Sequence, residues 1–498
     1  MFESAELGHR IDKDVYEREL PALRKALLDA QYENLRAARF PVVLVIGGVD
    51  GAGKGETVNA LLEWMDPRHI AAHAFGPPTD EEAARAPMWR FWRALPPRGR
   101  IGILFGSWYT APIVERVFKR ISGGELDRRL GEIERFERML ADEGAVIIKL
   151  WFHLGKKQQK RRLEELASSP RTAWRVTQDD WDKFAHYDRF AKVSERALRQ
   201  TSLAHAPWIV IEGGDARYRS LTAGRALLGA MRQRLDAPPS AGTRAPTGPA
   251  PAPLPAAPVD GVRLVDRIDL TQKLDKDSYE DQREKLERKL NLLLRRKRFL
   301  SRHSVVAVFE GADAAGKGGS IRRITHALDA RQYRVIPVAA PTEEERAQPY
   351  LWRFWRHMPA YGSVALFDRS WYGRVLVERV EGLIPAADWQ RAYAEINDFE
   401  SDLAGHGVVV VKFWLQISPE EQLRRFQERE QIGFKNFKIT PDDWRNRDKW
   451  DAYRVAMSDM VERTSTELAP WTLVSAEDKR FARITVLRTL CDRIEAEL

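Results

Sequence analysis

Along the second half of the chain, short apolar runs rich in β-branched residues are separated by longer stretches whose apolar positions recur at helical spacing. The runs are Val305–Phe309, Tyr333–Val338, Val364–Phe367, Val408–Leu415 and Trp471–Val474. Strand-length apolar segments that alternate with helices predict a parallel sheet covered on both faces. From Tyr279 to Leu300, the leucines Leu286, Leu290, Leu293 and Leu294 predict one amphipathic helix ending in the basic run Arg295-Arg296-Lys297-Arg298. Those cations complement a helix C-terminus more simply than they form a nucleic-acid patch. Pro419, preceded by Ser418, suits the first turn of a helix running through Gln427.

The same pattern fills the first half at a constant offset of 263 positions, the spacing from Lys54 to Lys317. Asp12-Lys13-Asp14 meets Asp275-Lys276-Asp277, and Trp89-Arg90-Phe91-Trp92-Arg93 meets Trp352-Arg353-Phe354-Trp355-Arg356. Ser107-Trp108-Tyr109, Val114-Glu115-Arg116-Val117 and Ala206-Pro207-Trp208 recur in the same register at Ser370, Val377 and Ala469. Chance does not produce this, so the halves are duplicated copies of one domain, each large enough for its own core. Between them lies a stretch rich in Pro, Ala and Gly with almost no large apolar residue, which reads as an extended linker. The expected division is 1–236, a linker at 237–260, and 261–498.

Composition narrows the class. The 498 residues suffice for two or three domains, and no apolar run is long enough to span a bilayer, so a globular protein without a membrane partner is expected. The start, Met1-Phe2-Glu3-Ser4-Ala5-Glu6, lacks the basic region and apolar core of a signal peptide, which makes cytoplasm the expected location. A single cysteine, Cys491, excludes an internal disulfide and a cysteine metal cluster. The formal charge of +9 points to polyanionic partners without deciding between nucleic acid and a smaller phosphate chain. Several of the 16 tryptophans sit in apolar runs, where core packing is the simpler reading than base stacking.

The chemistry concentrates where Val305–Phe309 leads into Glu310-Gly311-Ala312-Asp313-Ala314-Ala315-Gly316-Lys317-Gly318-Gly319-Ser320, which fits Gly-x-x-x-x-Gly-Lys between a strand and a helix. Such a loop cradles phosphate. Its backbone around Gly311, Ala314, Ala315, Gly316 and Gly318 comes close to an anion, the helix N-terminus favours negative charge, and Lys317 adds a point charge. Gly318 stands where a hydroxyl residue usually holds magnesium, so a metal needs ligands from elsewhere. Asp313 in the loop and Asp368 at the end of Val364–Phe367 are the natural candidates, since magnesium takes oxygen ligands. Asp368 could instead cap the next helix; Arg369 beside it supplies a second charge for phosphate. Arg353, Arg356, Arg369, Arg374 and Arg379 form an arginine-rich middle section, of which about half are expected to reach phosphate by fork-like contacts. Lys435, Lys438, Arg445, Arg447 and Lys449 lie where a mobile lid would place cations over a transferring group, or else form a solvated charged surface.

Taken together, Gly311-x-Asp313-x-x-Gly316-Lys317, Pro341-Thr342, Trp352-Arg353, Phe367 through Tyr372, Glu378-Arg379-Val380, and Lys438 with Trp444, Asp451 and Tyr453 resemble the polyphosphate kinase 2 family. The resemblance covers both halves. It implies an α/β fold of two tandem P-loop kinase-like three-layer α/β/α domains, with parallel sheets and helical lids. The implied reaction is phosphoryl transfer between inorganic polyphosphate and a nucleotide with Mg2+, Mn2+ being the alternative ion, and the fused arrangement looks like the branch that phosphorylates AMP to ADP. On the same resemblance Asp313 and Asp368 hold the metal and orient the acceptor. Lys317, Arg369 and lid cations such as Lys438 neutralise the transferring group. Nucleic acid is disfavoured as a partner, and a homo-oligomer is allowed.

The copies are not equivalent. Opposite Asp368-Arg369 the first half has Phe105-Gly106; opposite Arg374, Lys435, Arg447 and Asp448 it has Ala111, Thr172, Phe184 and Ala185. It keeps Asp50, Lys54, Ser107 and Glu115-Arg116. The expectation is an active second copy and a first copy that is structural or binds phosphate without turnover. Two alternatives stand at this point, an ATP-dependent nucleoside monophosphate kinase and a non-catalytic polyphosphate or nucleic-acid scaffold.

Overall fold

The structure, a computed structural model, describes residues 1–237, 263–431 and 441–498, with the side chain of residue 442 left aside. Two compact units form, one built on residues 1–78 and 90–237 and the other on residues 263–341 and 353–498. The first holds β1 (Val42–Gly48), β2 (Ile70–Ala74), β3 (Ile101–Phe105), β4 (Val146–His153) and β5 (Trp208–Glu212). The second repeats them as β6 (Ser304–Gly311), β7 (Tyr333–Pro337), β8 (Val364–Asp368), β9 (Val408–Gln416) and β10 (Trp471–Ser475). All pairings are parallel, in the order β2-β3-β1-β4-β5 and, equivalently, β7-β8-β6-β9-β10. All five apolar runs of the second half are strands, and the expected α/β class with two parallel sheets is the observed one.

These strands read as continuous apolar runs because both of their faces are buried. Val305, Ala307 and Phe309 join Leu290, Leu294, Leu487 and Ile494 in one core cluster, while the alternate residues Val306 and Val308 are equally buried. The helices Lys276–Leu294 and Lys479–Glu497 pack together, and Ala386–Gly405 packs on β9 and on Trp450–Thr464. Asp275 caps the first of them, its carboxylate accepting from the Ser278 N–H. Among the described residues no helix is long and apolar enough to cross a membrane.

One element differs from its sequence expectation. The helix expected over 279–300 stops at Leu294, and a second runs from Lys297 to Arg302. Had the first continued, Phe299 would project about 140° round the axis from Leu294. Breaking the helix at the extended Arg296 brings Phe299 into the same core as Leu293 and Leu294. Burial of one aromatic thus overrides helix propensity in a run of arginines and lysine.

In each sheet the phosphate loop leaves the central strand, with neighbours on either side reached by oppositely directed connections. That is the switch point at which open α/β sheets place their ligands. The register pairs Phe309 with Asp368 and Gly311 with Leu415, so three strand ends converge beneath the second loop.

Candidate functional site

The second loop is shaped by residues in the left-handed region. Gly311 has φ +140°, Ala314 +63° and Gly316 +109°. Gly311 lies against the Leu415 backbone, and a Cβ there would collide with it. Gly316 opens the helix Lys317–His326. Lys317 Nζ donates to the carbonyls of Gly311 at 2.7 Å and Ala312 at 3.2 Å, folding its ammonium back over the loop. Beneath the loop, Arg425, 3 % exposed, donates to the Ala314 and Ala315 carbonyls at 3.0 and 3.2 Å and to those of Ala476 and Glu477 at 2.8 Å.

Three expected residues meet at the loop mouth. Arg369, at the end of β8, donates to Asp313 Oδ1 across 2.9 Å, and Asn446 Nδ2 donates to Asp313 Oδ2 across 2.9 Å. Burial works to raise the Asp313 carboxyl, but Lys317, Arg369 and the Asn446 bond outweigh it and hold the group below its usual range. Asp368 lies over the start of the next helix, its Oδ2 3.9 Å from where a Gly318 Cβ would stand. The carboxylate of the neighbouring strand thus reaches the position that usually carries the hydroxyl residue. Asp368 does not act as a helix cap, because Ser370 takes that position and accepts from the Tyr372 N–H.

A further carboxyl sits in this site. Glu310 closes β6 at 5 % exposure and accepts from Ser370 Oγ at 2.9 Å. Burial pushes its carboxyl up, partly opposed by Lys317 and the Ser370 bond. Sequence reasoning gave Glu310 no role, nor Asn446, Gln422 and Arg425. The register held a signal for two of them, since Gly47 stands opposite Glu310 and Lys183 opposite Asn446.

Other expected phosphate ligands are placed elsewhere. Arg379 donates to Tyr393 Oη at 2.9 Å and to Asp459 at 2.7 Å while stacking over Trp389, which makes it a strut between helices. Arg374 is buried, 3.6 Å from Glu378, and Arg353 donates to the Ala339 carbonyl at 2.9 Å. Arg447 donates to Pro419 O at 2.6 Å and to Gln422 Oε1 at 3.2 Å; Gln422 in turn donates to the Asp313 carbonyl at 3.1 Å. Arg447 thereby ties the helix Pro441–Asp448 to the loop. Lys435 and Lys438 lie outside the described residues.

The Ser-Trp-Tyr motif has a structural explanation. Trp371 Nε1 and Tyr372 Oη both donate to Glu400 Oε1, at 3.0 and 2.7 Å. Lys412 Nζ donates to Glu400 Oε2 at 2.6 Å, to Tyr372 Oη at 2.8 Å and to the Thr464 carbonyl at 2.6 Å. Trp108, Tyr109, Glu137, Lys149 and Thr201 reproduce the network in the first unit. This buried ion pair anchors the chain segment that follows Asp368 in one copy and Phe105 in the other.

In the first copy the loop chemistry is altered. Lys54 donates to Gly48 O at 2.7 Å and to Asp50 Oδ1 at 3.2 Å, and Lys183 stands 3.8 Å from Asp50 Oδ2. Glu56, in the first turn of the following helix, pairs with Arg219 and stands within 3.5 Å of Arg162 and 3.4 Å of Arg175. An internal carboxylate thus sits at the helix N-terminus where an anion would otherwise bind.

Among the described residues no group of three or more His, Cys, Asp or Glu side chains forms a ready-made metal cage. A donor set of one or two carboxylates still suits a hard cation that keeps waters and phosphate oxygens in its shell. Asp368, which makes no side-chain hydrogen bond to other described residues, fits that use.

Comparison with known proteins agrees with this architecture. The profile described as Polyphosphate kinase 2 matches residues 10–238 and 273–498. A Pseudomonas aeruginosa protein named Polyphosphate:AMP phosphotransferase is 58% identical over 100% of this chain and 99% of its own length. Proteins of the same name from Pseudomonas syringae pv. tomato and Acinetobacter johnsonii are 54% and 35% identical, covering 98% and 95% of their lengths and 99% and 95% of this chain. A solved crystal structure given as polyphosphate kinase 2 from Pseudomonas aeruginosa PA01 superposes with a TM-score of 0.89 at 56% identity, covering 100% of this chain and 99% of its own.

Proposed function

The chain belongs to the polyphosphate kinase 2 family, and from that premise we propose that it transfers the terminal phosphoryl group of inorganic polyphosphate to AMP, giving ADP. The observation that carries the reading is the convergence of Asp313, Lys317, Asp368 and Arg369 at one loop mouth in the second copy. Full-length relatives named for polyphosphate:AMP phosphotransfer support the substrate pair.

In the proposed step, an AMP phosphate oxygen forms a new P–O bond while the bond to the bridging oxygen of the chain breaks. The polyphosphate leaves one unit shorter. The attacking oxygen is already ionised near pH 7, because the second phosphate pKa is about 6. The protein therefore need not remove a proton, and its task is positioning and charge stabilisation. Lys317 and the loop N–H groups hold the phosphate chain, and Arg369 faces the charge that spreads over the transferring oxygens. Asn446 and Gln422 fix the lid side of Asp313. A divalent cation, for which we propose Mg2+, would be held by Asp368 and Asp313 and would supply charge neutralisation between the phosphates.

We assign this chemistry to the second copy and a non-catalytic role to the first, which lacks counterparts of Glu310, Asp368 and Arg369. Cytoplasm remains the proposed location. The test is incubation of the purified chain with AMP, polyphosphate and Mg2+ in the absence of ATP, with chromatography of the products. ADP is expected; ADP formation that requires ATP would overturn the reading in favour of a nucleoside monophosphate kinase.

A further inference from the structure

The first copy has lost its acidic residues beneath the loop but not the space. A cavity of about 240 Å³ remains there, walled by Phe75, Phe105, Tyr109, Trp151, Phe190 and Trp208. The positions of Glu310, Asp368 and Arg369 are taken by Gly47, Phe105 and Gly106, so three charged side chains are replaced by one ring and two glycines, beside aromatic residues that both copies share. The space is kept open and lined with flat rings.

Three polar atoms in this wall are buried without a hydrogen-bond partner among the described residues: Trp151 Nε1, His153 Nδ1 and Gln159 Oε1. Their side chains belong to residues 7%, 1% and 4% exposed. The second copy does not share the vacancy at the tryptophan, because Trp414 Nε1 donates to Gln416 Oε1 at 2.8 Å. At the Gln416 position stands His153, whose Nε2 lies 2.8 Å from Glu6 Oε1. That carboxylate calls for a proton on Nε2, and in the tautomer that carries it there Nδ1 is an acceptor. Gln159 Nε2 already donates to the Asp50 carbonyl at 3.0 Å, so its Oε1 is an acceptor as well. The wall therefore offers one donor and two acceptors, and buried groups of this kind require partners. Lys54 and Lys183 line the same cavity beside Asp50, and Lys183 also pairs with Asp179 at 2.6 Å.

We propose that this cavity is a second, non-catalytic binding site for an aminopurine nucleotide, a flat nitrogen heteroaromatic that carries an amine and a phosphate. The ring lies among the aromatic side chains, a ring nitrogen accepts from Trp151, an exocyclic amine and a sugar hydroxyl donate to His153 and Gln159, and the phosphate meets the lysines. In this reading the phosphate meets Lys54 and Lys183 on the cavity side of the loop, and the replacements Gly47, Phe105 and Gly106 clear the places of Glu310, Asp368 and Arg369 for a base.

The test uses the intact chain and 2-azido-AMP, photolabelled without polyphosphate and mapped by peptide mass spectrometry. Label on peptides from Val146–His153 or Tyr187–Thr201, alongside label on the second copy, is expected. Excess AMP should suppress it. Inosine monophosphate, which lacks the amine, should suppress it about tenfold less well, the worth of one hydrogen bond. Trp151→Phe should weaken labelling of the first copy about tenfold by removing the same kind of bond, with labelling of the second copy unchanged. Label confined to the second copy would mean that water alone fills the cavity and would overturn the proposal. Suppression by inorganic phosphate equal to that by AMP would overturn the base-reading part. The mapping on the unsubstituted chain decides the question even where Trp151→Phe fails to fold.

Discussion

Arg369 donates a 2.9 Å hydrogen bond to the Asp313 carboxylate, joining the end of β8 to the loop that leaves the adjacent strand. Arg369 holds φ +65°, a conformation that a residue with a Cβ adopts only at a steric cost. Its counterpart Gly106 has φ +78°. Both copies therefore make the same backbone turn, and only in the second does a side chain project from it toward the loop. Backbone strain kept at such a position is a sign of use.

Replacing Arg369 separates strain from chemistry. Arg369→Gly should leave the unfolding midpoint of the second unit unchanged or raised, whereas Arg369→Ala keeps a Cβ at positive φ without the ion pair. The alanine variant should be less stable than the glycine variant by about 1 kcal/mol. Both should lose at least about 100-fold in ADP formation, as expected when a charge facing the transition state is removed. Urea unfolding beside a product assay checks both statements, and a glycine variant that retains activity would remove Arg369 from the chemistry.

The assignment of the copies is tested by two changes in opposite halves. Asp368→Ala should reduce ADP formation at least about 100-fold. Lys54→Ala, in the loop of the other copy, should leave it within about twofold, because sites without shared partners act independently. The reverse outcome would move catalysis to the first copy.

The Lys412 and Glu400 pair is expected to govern stability. Burial pushes the Glu400 carboxyl up and the Lys412 ammonium down, and mutual attraction opposes both shifts. Lys412→Met leaves a buried carboxylate facing only Trp371 and Tyr372, at an expected cost of about 3–5 kcal/mol. Adding Glu400→Gln removes the charge while keeping an acceptor for those two donors, and should recover more than half of the loss. Chemical denaturation of both variants measures this; equal stability of the two would mean that the charge is not what matters.

The strands were legible because a parallel strand buried on both faces leaves an uninterrupted apolar run, as Val305–Phe309 does. The loop was legible because its glycines and lysine are fixed by local geometry. What escaped was set by tertiary contacts. Phe299 broke a helix that its leucine spacing extended. Arg379 reads as a phosphate ligand in a row of arginines, yet Asp459, 80 positions away, takes its guanidinium. Arg425 could not be told from its neighbour Arg424 by sequence, although one is buried under the loop and the other pairs with Glu421 and Glu428 in solvent. The Ser-Trp-Tyr motif was legible only as a repeat, and its presence in the copy lacking Asp368 fits its place in a buried network that holds the fold.

Asp50 ties the loop of the first copy to Lys54 and Lys183, and this makes a pH-dependent contribution to that unit. Burial works to raise its carboxyl, but Lys54 and Lys183 outweigh it and hold it below the ordinary range. A carboxyl depressed in the folded state contributes stability in full above its unfolded pKa, about 3.9, and loses it as pH falls through the lower folded value. Asp50→Asn removes the charge that both ammonium groups face and should destabilise the first unit at pH 7 by about 1–2 kcal/mol, the range for hydrogen bonds to charged groups. The difference between variant and wild type should persist down to about pH 4 and close below it, as the wild-type carboxyl takes up its proton. Urea denaturation at stepped pH, following the transition that Asp50→Asn displaces, gives the curve. A difference that stays constant from pH 7 to pH 2 would show that Asp50 acts through packing, with its charge contributing nothing.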